Sequence, residues 1–168
     1  STRLNSSAAS DVYKRQYGEL NESKSNAILV CHAFSGNHHV AGENKELGIG
    51  WWDQIVGPKK AIDTDKYYVV CCNNLGGCAG SSGPTSINKK TGKVFGKDFP
   101  QVSVSDWVNS QKILMDKLEI SSWHFVVGGS LGGMQALQWS IAYPNHIKKA
   151  GIFAAAAKSS TQNIAMNE

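Results

Sequence analysis

Trp123-His124-Phe125-Val126-Val127-Gly128-Gly129-Ser130-Leu131-Gly132 is an apolar run that meets a glycine-flanked serine where a helical pattern begins. It reads as a strand turning sharply into a helix, with Ser130 at the corner of a nucleophile elbow. Such a corner forces its central residue into a strained backbone conformation. Glycines two before and two after leave room for strand and helix to cross closely. Ser130 Oγ then stands exposed above the sheet edge. The following helix aims its unpaired N–H groups and positive dipole end at the same point, so the Leu131 amide can hold an oxyanion formed on an attacked carbonyl. A dinucleotide-binding turn also joins strand to helix through glycines, but it needs G-x-G-x-x-G and an acidic residue about 20 positions later. Here Ser130 occupies the second glycine's place, and no Asp or Glu occurs between Ser130 and Glu168.

Outward from the elbow, the chain alternates strands and helices. Asn26 to Ala33, Tyr67 to Cys72 and Trp123 to Val127 are short continuous apolar runs, as expected of strands buried on both faces. Val104, Trp107, Val108, Gln111, Leu114, Met115 and Leu118 recur at i, i+3, i+4, i+7 spacing, with Ser103 or Ser105 as N-cap, which predicts an amphipathic crossover helix. Met134, Leu137 and Ile141 predict a second helix ended by Pro144, and Ala150 to Ala156 a fourth strand. This order implies an α/β chain with a mainly parallel, doubly wound sheet. There are no internal repeats.

A chain of 168 residues with 41% hydrophobic and 18% charged residues can bury a core and is not a disordered tail. It holds no apolar run of membrane-spanning length. Of the net charge of +4, half falls in residues 1–16, so the remainder gives nucleic-acid binding little support. Residues 1–16 are polar, rich in small side chains and aperiodic, and are expected to be a disordered or artificial leader outside the fold. Cys31, Cys71, Cys72 and Cys78 show no C-x-x-C spacing, and Cys71 and Cys72 on a strand face opposite sides of the sheet. They read as reduced thiols of a cytoplasmic protein.

Asn73 to Val102 carries Gly76, Gly77, Gly80, Gly83 and Pro84 and is too long for a mere connector, which predicts a functional loop. No G-K-[ST] follows its glycines, and Lys93 sits at a hairpin tip. Asp63 and Asp65 lie directly before a strand and read as a turn rather than a glycosidase pair. The adjacent His38 and His39 cannot easily aim at one ion, so no metal is expected.

Five longer motifs follow one another: Cys31-His32-Ala33-Phe34-Ser35-Gly36-Asn37-His38-His39, Gly50-Trp51-Trp52-Asp53, Asn73 through Ser86, Gly128 through Ala136, and Ser160-Thr161-Gln162-Asn163-Ile164-Ala165. Together, over Tyr17 to Glu168, they resemble the homoserine O-acyltransferases of the α/β-hydrolase fold. The resemblance implies acyl transfer from acetyl-CoA or succinyl-CoA to the hydroxyl of L-homoserine, an early step of methionine biosynthesis. It implies acyl-CoA as co-substrate with no tightly bound cofactor, a parent protein compatible with a homodimer, and no nucleic-acid or membrane partner. Ser130 would attack the thioester carbonyl, and the oxyanion hole would pair the Leu131 amide with that of Phe34. His32 would shape the loop carrying Phe34.

Triads of this fold run Ser, then Asp or Glu, then His. After Ser130 the sequence offers only His146, which reads as a surface residue, and no Asp. The resemblance therefore implies that residues 17–168 form the N-terminal part of an α/β-hydrolase domain, truncated before the C-terminal strands, the cap, the acid and the base. A serine esterase on the same scaffold is the alternative, and an inactive fragment the third reading.

Overall fold

The computed structural model describes residues 2–5, 11–77 and 79–165. Its elements are β1 (Thr2–Asn5), β2 (Asp11–Tyr17), β3 (Ala27–Cys31), β4 (Glu43–Asn44), β5 (Gly48–Ile49), β6 (Val56–Gly57), β7 (Ile62–Asp63), β8 (Tyr68–Cys72), α1 (Val104–Lys117), β9 (Phe125–Gly129), α2 (Leu131–Ala142), β10 (Ala150–Phe153) and α3 (Thr161–Ala165). Six strands form one sheet in the order β1-β2-β8-β3-β9-β10. β8, β3, β9 and β10 run parallel, and β1 and β2 add an antiparallel edge. The apolar runs are strands because parallel strands covered on both faces need apolar side chains in both directions; all five residues of β3 and all five of β8 are buried.

Side-chain alternation splits the core in two. Leu29, Val70, Cys72 and Val126 meet α1 and α2 through Val108, Leu114, Met115, Ala136 and Trp139. Val30, Val69, Cys71 and Val127 face Val40, Val56 and Ile62 in the irregular segment between β3 and β8. α1 and α2 thus share one face, and the opposite face is covered by loops with the ribbons β4–β5 and β6–β7. Cys71 and Cys72 lie on opposite faces as their parity requires, and burial raises both thiols, Cys72 to about 12. Cys31, Cys71 and Cys72 are free, whereas Cys78 lies outside the described residues.

α1 begins where Ser103 caps it. The Ser103 hydroxyl accepts from the Asp106 amide, and the Asp106 carboxylate accepts from the Ser103 amide at 2.8 Å. The reciprocal pair satisfies two amide groups that a helix start otherwise leaves without partners. Between β8 and α1, Ile87 and Val94 pair across the hairpin whose tip carries Lys93, and Asp63 accepts the Lys59 and Asp65 amides in a turn.

One expectation is corrected. The described residues among 1–16 do not stand apart as a leader: β1 pairs with β2, and β2 pairs with β8, with Lys14 opposite Cys72 and Tyr17 opposite Val69. Residues 1 and 6–10 lie outside the described residues. The strand escaped the hydropathy pattern because hydrogen bonds to polar groups, rather than apolar burial, hold it. The Tyr17 hydroxyl accepts from the Val40 and Ala41 amides at 2.9 and 3.1 Å, and Arg15 Nη1 lies 2.8 Å from His39 Nδ1. Buried Lys14, its ammonium destabilised by desolvation, donates to Gln16.

Replacing Ser103 by Ala removes the cap of α1 and should lower unfolding free energy by about 1 kcal/mol. A urea titration with an unchanged m-value is the measurement that checks it.

Candidate active site

Ser130 sits between the last residue of β9 and the first of α2 at φ 54° and ψ −124°. A side chain at positive φ costs of order 1–3 kcal/mol, which the surrounding packing must offset. The packing is explicit. A Cβ on Gly128 would lie 2.7 Å from the Cys31 carbonyl oxygen, and one on Gly132 would collide with that same atom. Only glycine at both positions lets the first turn of α2 rest on the end of β3. The Ser130 amide donates to the Phe153 carbonyl at 2.9 Å and its carbonyl accepts from the Met134 amide, so β10 and α2 hold the corner from both sides. The Ser130 side chain makes no capping bond to α2. Leu131 opens the helix, where amides have no intrahelical acceptor.

The loop after β3 is fixed with equal definition. His32 is 3% exposed. Its Nε2 accepts the Asn74 amide proton at 3.0 Å, so Nδ1 carries the ring proton and donates to the Ala33 carbonyl at 2.7 Å. Both ring nitrogens are engaged, and burial disfavours the imidazolium. The ring clasps the loop after β3 to the loop after β8.

Behind it runs a buried chain of side-chain amides. The Trp139 indole N–H, which can only donate, gives its proton to Gln111 Oε1 at 2.7 Å. Gln111 Nε2 therefore donates to Gln135 Oε1 at 2.7 Å, and Gln135 Nε2 is left to donate to the His32 carbonyl at 3.3 Å. Both amides are turned unambiguously by the indole at the end of the chain. Gln111 on α1 and Gln135 on α2 thus anchor the residue two positions before Phe34.

Phe34 is 87% exposed. With Leu131 it borders two cavities. One, of about 900 Å³, holds Ser130 with Met134, Ala155 and Lys158. The other, of about 560 Å³, lies against His32, Asn74 and Trp107. Ser130, Phe34 and Leu131 are brought together at the carboxyl ends of β3 and β9, where the strand order reverses about β3. Crevices at such reversals receive ligands in open α/β sheets.

The other sequence candidates lie elsewhere. His146, with Nδ1 2.9 Å from the Ser121 carbonyl, follows the far end of α2. His39 bridges Arg15 and the Gly48 carbonyl. Among the described residues the cavity at Ser130 is lined by no His, Asp or Glu. Gln111 and Gln135 went unrecognised as site residues, although a glutamine within the buried stripe of α1 was a signal that it has a partner.

A family model described as alpha/beta hydrolase fold matches residues 26–164. The chain belongs to the alpha/beta hydrolase fold family. It is 59% identical over 160 residues to a homoserine O-succinyltransferase from Neisseria gonorrhoeae, covering 94% of this chain and 42% of that relative. The chain therefore spans well under half the length of the curated relatives it matches. Among solved structures, esterase E22 superposes with a TM-score of 0.84 at 40% identity, over 97% of this chain and 48% of the esterase. A homoserine O-acetyltransferase from Bacillus anthracis superposes with a TM-score of 0.80 at 39% identity, over 84% of this chain and 40% of that one.

Two outcomes follow from the clasp and the amide chain. Gln135→Leu strands the Gln111 N–H and the His32 carbonyl in the core, and should lower unfolding free energy by about 1–3 kcal/mol for each unpaired group. Chemical denaturation measures it. For His32 and His38 the folded pKa lies below the ordinary 6.5, that of His38 near 4. The unfolded chain then binds protons first on acidification. Stability is complete above pH 6.5 and falls as pH drops toward 4, which a series of denaturant midpoints would show.

Proposed function

We propose that this chain supplies the nucleophile and oxyanion-binding part of a homoserine O-acyltransferase. The observation that carries the reading is Ser130 at a left-handed corner, facing a cavity bordered by Phe34 and Leu131. Ser130 Oγ attacks the acyl-CoA thioester carbonyl and forms the C–O bond. Collapse of the tetrahedral intermediate breaks the C–S bond, and the coenzyme A thiol leaves with the serine proton. The amides of Phe34 and Leu131 hold the oxyanion. The hydroxyl of L-homoserine then attacks the acyl-serine, forming the O-acyl ester and returning the proton to Ser130. By the family resemblance, the histidine that carries this proton and its orienting acid belong to the length of the relatives that this chain does not span.

Succinyl-CoA is the favoured donor, since the curated relatives at 58–59% identity carry that activity in their names. Lys158 in the Ser130 cavity offers a cation to a carboxylate on either substrate. Methionine biosynthesis, a cytoplasmic location and a homodimeric assembly accompany this reading, with acyl-CoA as co-substrate and no tightly bound cofactor.

A serine esterase is the second reading, favoured by the superposition on esterase E22. Water in place of homoserine would attack the acyl-serine. Release of coenzyme A from succinyl-CoA with and without homoserine separates the two, because only the transferase needs the acceptor for turnover.

In the chain extended to the length of its relatives, Ser130→Ala should lower kcat on the order of 10⁶-fold, the scale of losing a triad serine. Turnover within tenfold of the parent would remove Ser130 from the mechanism.

A further inference from the structure

The cavity of about 560 Å³ on the far side of Phe34 and Leu131 contains no charged side chain among its described lining residues. Its wall is largely apolar, built by Leu75, Pro84, Phe99, Pro100 and Trp107. The Trp107 indole N–H donates to the Leu75 carbonyl at 2.8 Å, and Phe99 stands edge-on to Phe95 at 5.4 Å, so two sides of this wall are held in place.

His32, Ser35, Asn37 and Asn74 supply its polar side chains, and Asn74 is the one whose oxygen lies buried without a donor. It is 6% exposed and lines the cavity, and its Oδ1 has no hydrogen-bond partner among the described residues. Its backbone N–H is held by His32 Nε2. A buried carbonyl oxygen without a donor has lost its hydration with nothing in exchange, and folded proteins seldom leave one so. A ligand N–H placed against it recovers that loss.

We propose that this cavity receives the pantetheine arm of the acyl-CoA donor, with an amide N–H of the arm donating to Asn74 Oδ1. The inference rests on the acyl-CoA reading above. Phe34 and Leu131 border both cavities, so a thioester carbonyl held by their amides has one substituent on each side. The arm is neutral, mostly aliphatic and carries amide donors, which suits an uncharged wall with an unpaired buried acceptor. The anionic acyl end does not suit it, because a succinyl carboxylate beside Asn74 Oδ1 would meet a carbonyl dipole and no cation. Lys158 lies in the other cavity, on the Ser130 side. The two chambers thus sort by charge the groups that flank the thioester, the acyl carboxylate and the neutral arm.

The test is an NMR titration of the 168-residue chain with pantetheine and with its analogue in which ester oxygens replace the amide N–H groups. The parent chain should bind pantetheine about tenfold more tightly than the analogue, the worth of one hydrogen bond into a desolvated site. Asn74→Leu, which keeps the branching of asparagine at Cγ without its carbonyl, should bind both alike. If that variant does not fold, the parent's preference and the shift of the Asn74 side-chain amide resonances on titration still decide. No binding of pantetheine, equal binding of the two probes by the parent, or the same preference in Asn74→Leu overturns the proposal. Acylation of Ser130 is read separately, by intact-protein mass of the chain extended to the length of its relatives, so failure of the catalytic reading and failure of this one appear in different measurements.

Discussion

The approach of the first turn of α2 to the Cys31 carbonyl at the end of β3 is the contact on which the architecture turns. Two glycines, Gly128 and Gly132, make it possible, because a methyl group at either would enter the space of that oxygen. The contact sets the angle at which β9 passes into α2, and so sets the backbone of Ser130. A residue at φ 54° does not hold that conformation by its own preference. It is held because β10, through the Phe153 carbonyl, and α2, through the Met134 amide, bond to it on either side.

The polar chain from Trp139 through Gln111 and Gln135 to the His32 carbonyl does for the oxyanion loop what the glycines do for the elbow. Each link has one possible direction, since the indole can only donate and each amide has one face left. Such a chain adds little net stability when complete, because water would satisfy the same groups in the unfolded state. It excludes alternatives: any register of α1 or α2 that broke a link would strand a donor or an acceptor in the core. The chain joins α1, α2 and the loop after β3, so the residue two positions before Phe34 is tied to the helix that Ser130 precedes.

Charge divides the space around Phe34 and Leu131. The Ser130 side has Lys158, whereas the described residues of the Asn74 side offer dipoles and a buried imidazole whose charged form burial disfavours. In a region partly screened from water such a difference is felt strongly. The sheet places both chambers at the carboxyl ends of its parallel strands, where the chain crosses from β8 over to β9 on either side of β3.

What the sequence by itself determined is what short-range pattern can carry. β3, β8 and β9 were legible because continuous apolar runs bounded by polar turns have few other uses, and α1 because its apolar residues repeat with the helical period behind a capping serine. The opposite facing of Cys71 and Cys72 followed from strand parity alone. The elbow was legible because its glycines and serine are contiguous. Only the tertiary structure decided the rest. β2 joins the sheet through Tyr17 and Arg15, whose partners lie more than twenty residues away, and polar side chains leave no hydropathic trace of such bonds. The ribbons β4–β5 and β6–β7 are two-residue pairings too short for any period to register. Gln111 and Gln135 could be placed on helices from the sequence, but their joint hold on His32 exists only once α1, α2 and β3 are packed together. That Asn74 Oδ1 is buried without a donor among the described residues is visible only once the loops after β3 and β8 are packed. Local pattern encodes which face of an element is buried; it does not encode which polar groups meet there, because that depends on distances set by the whole chain.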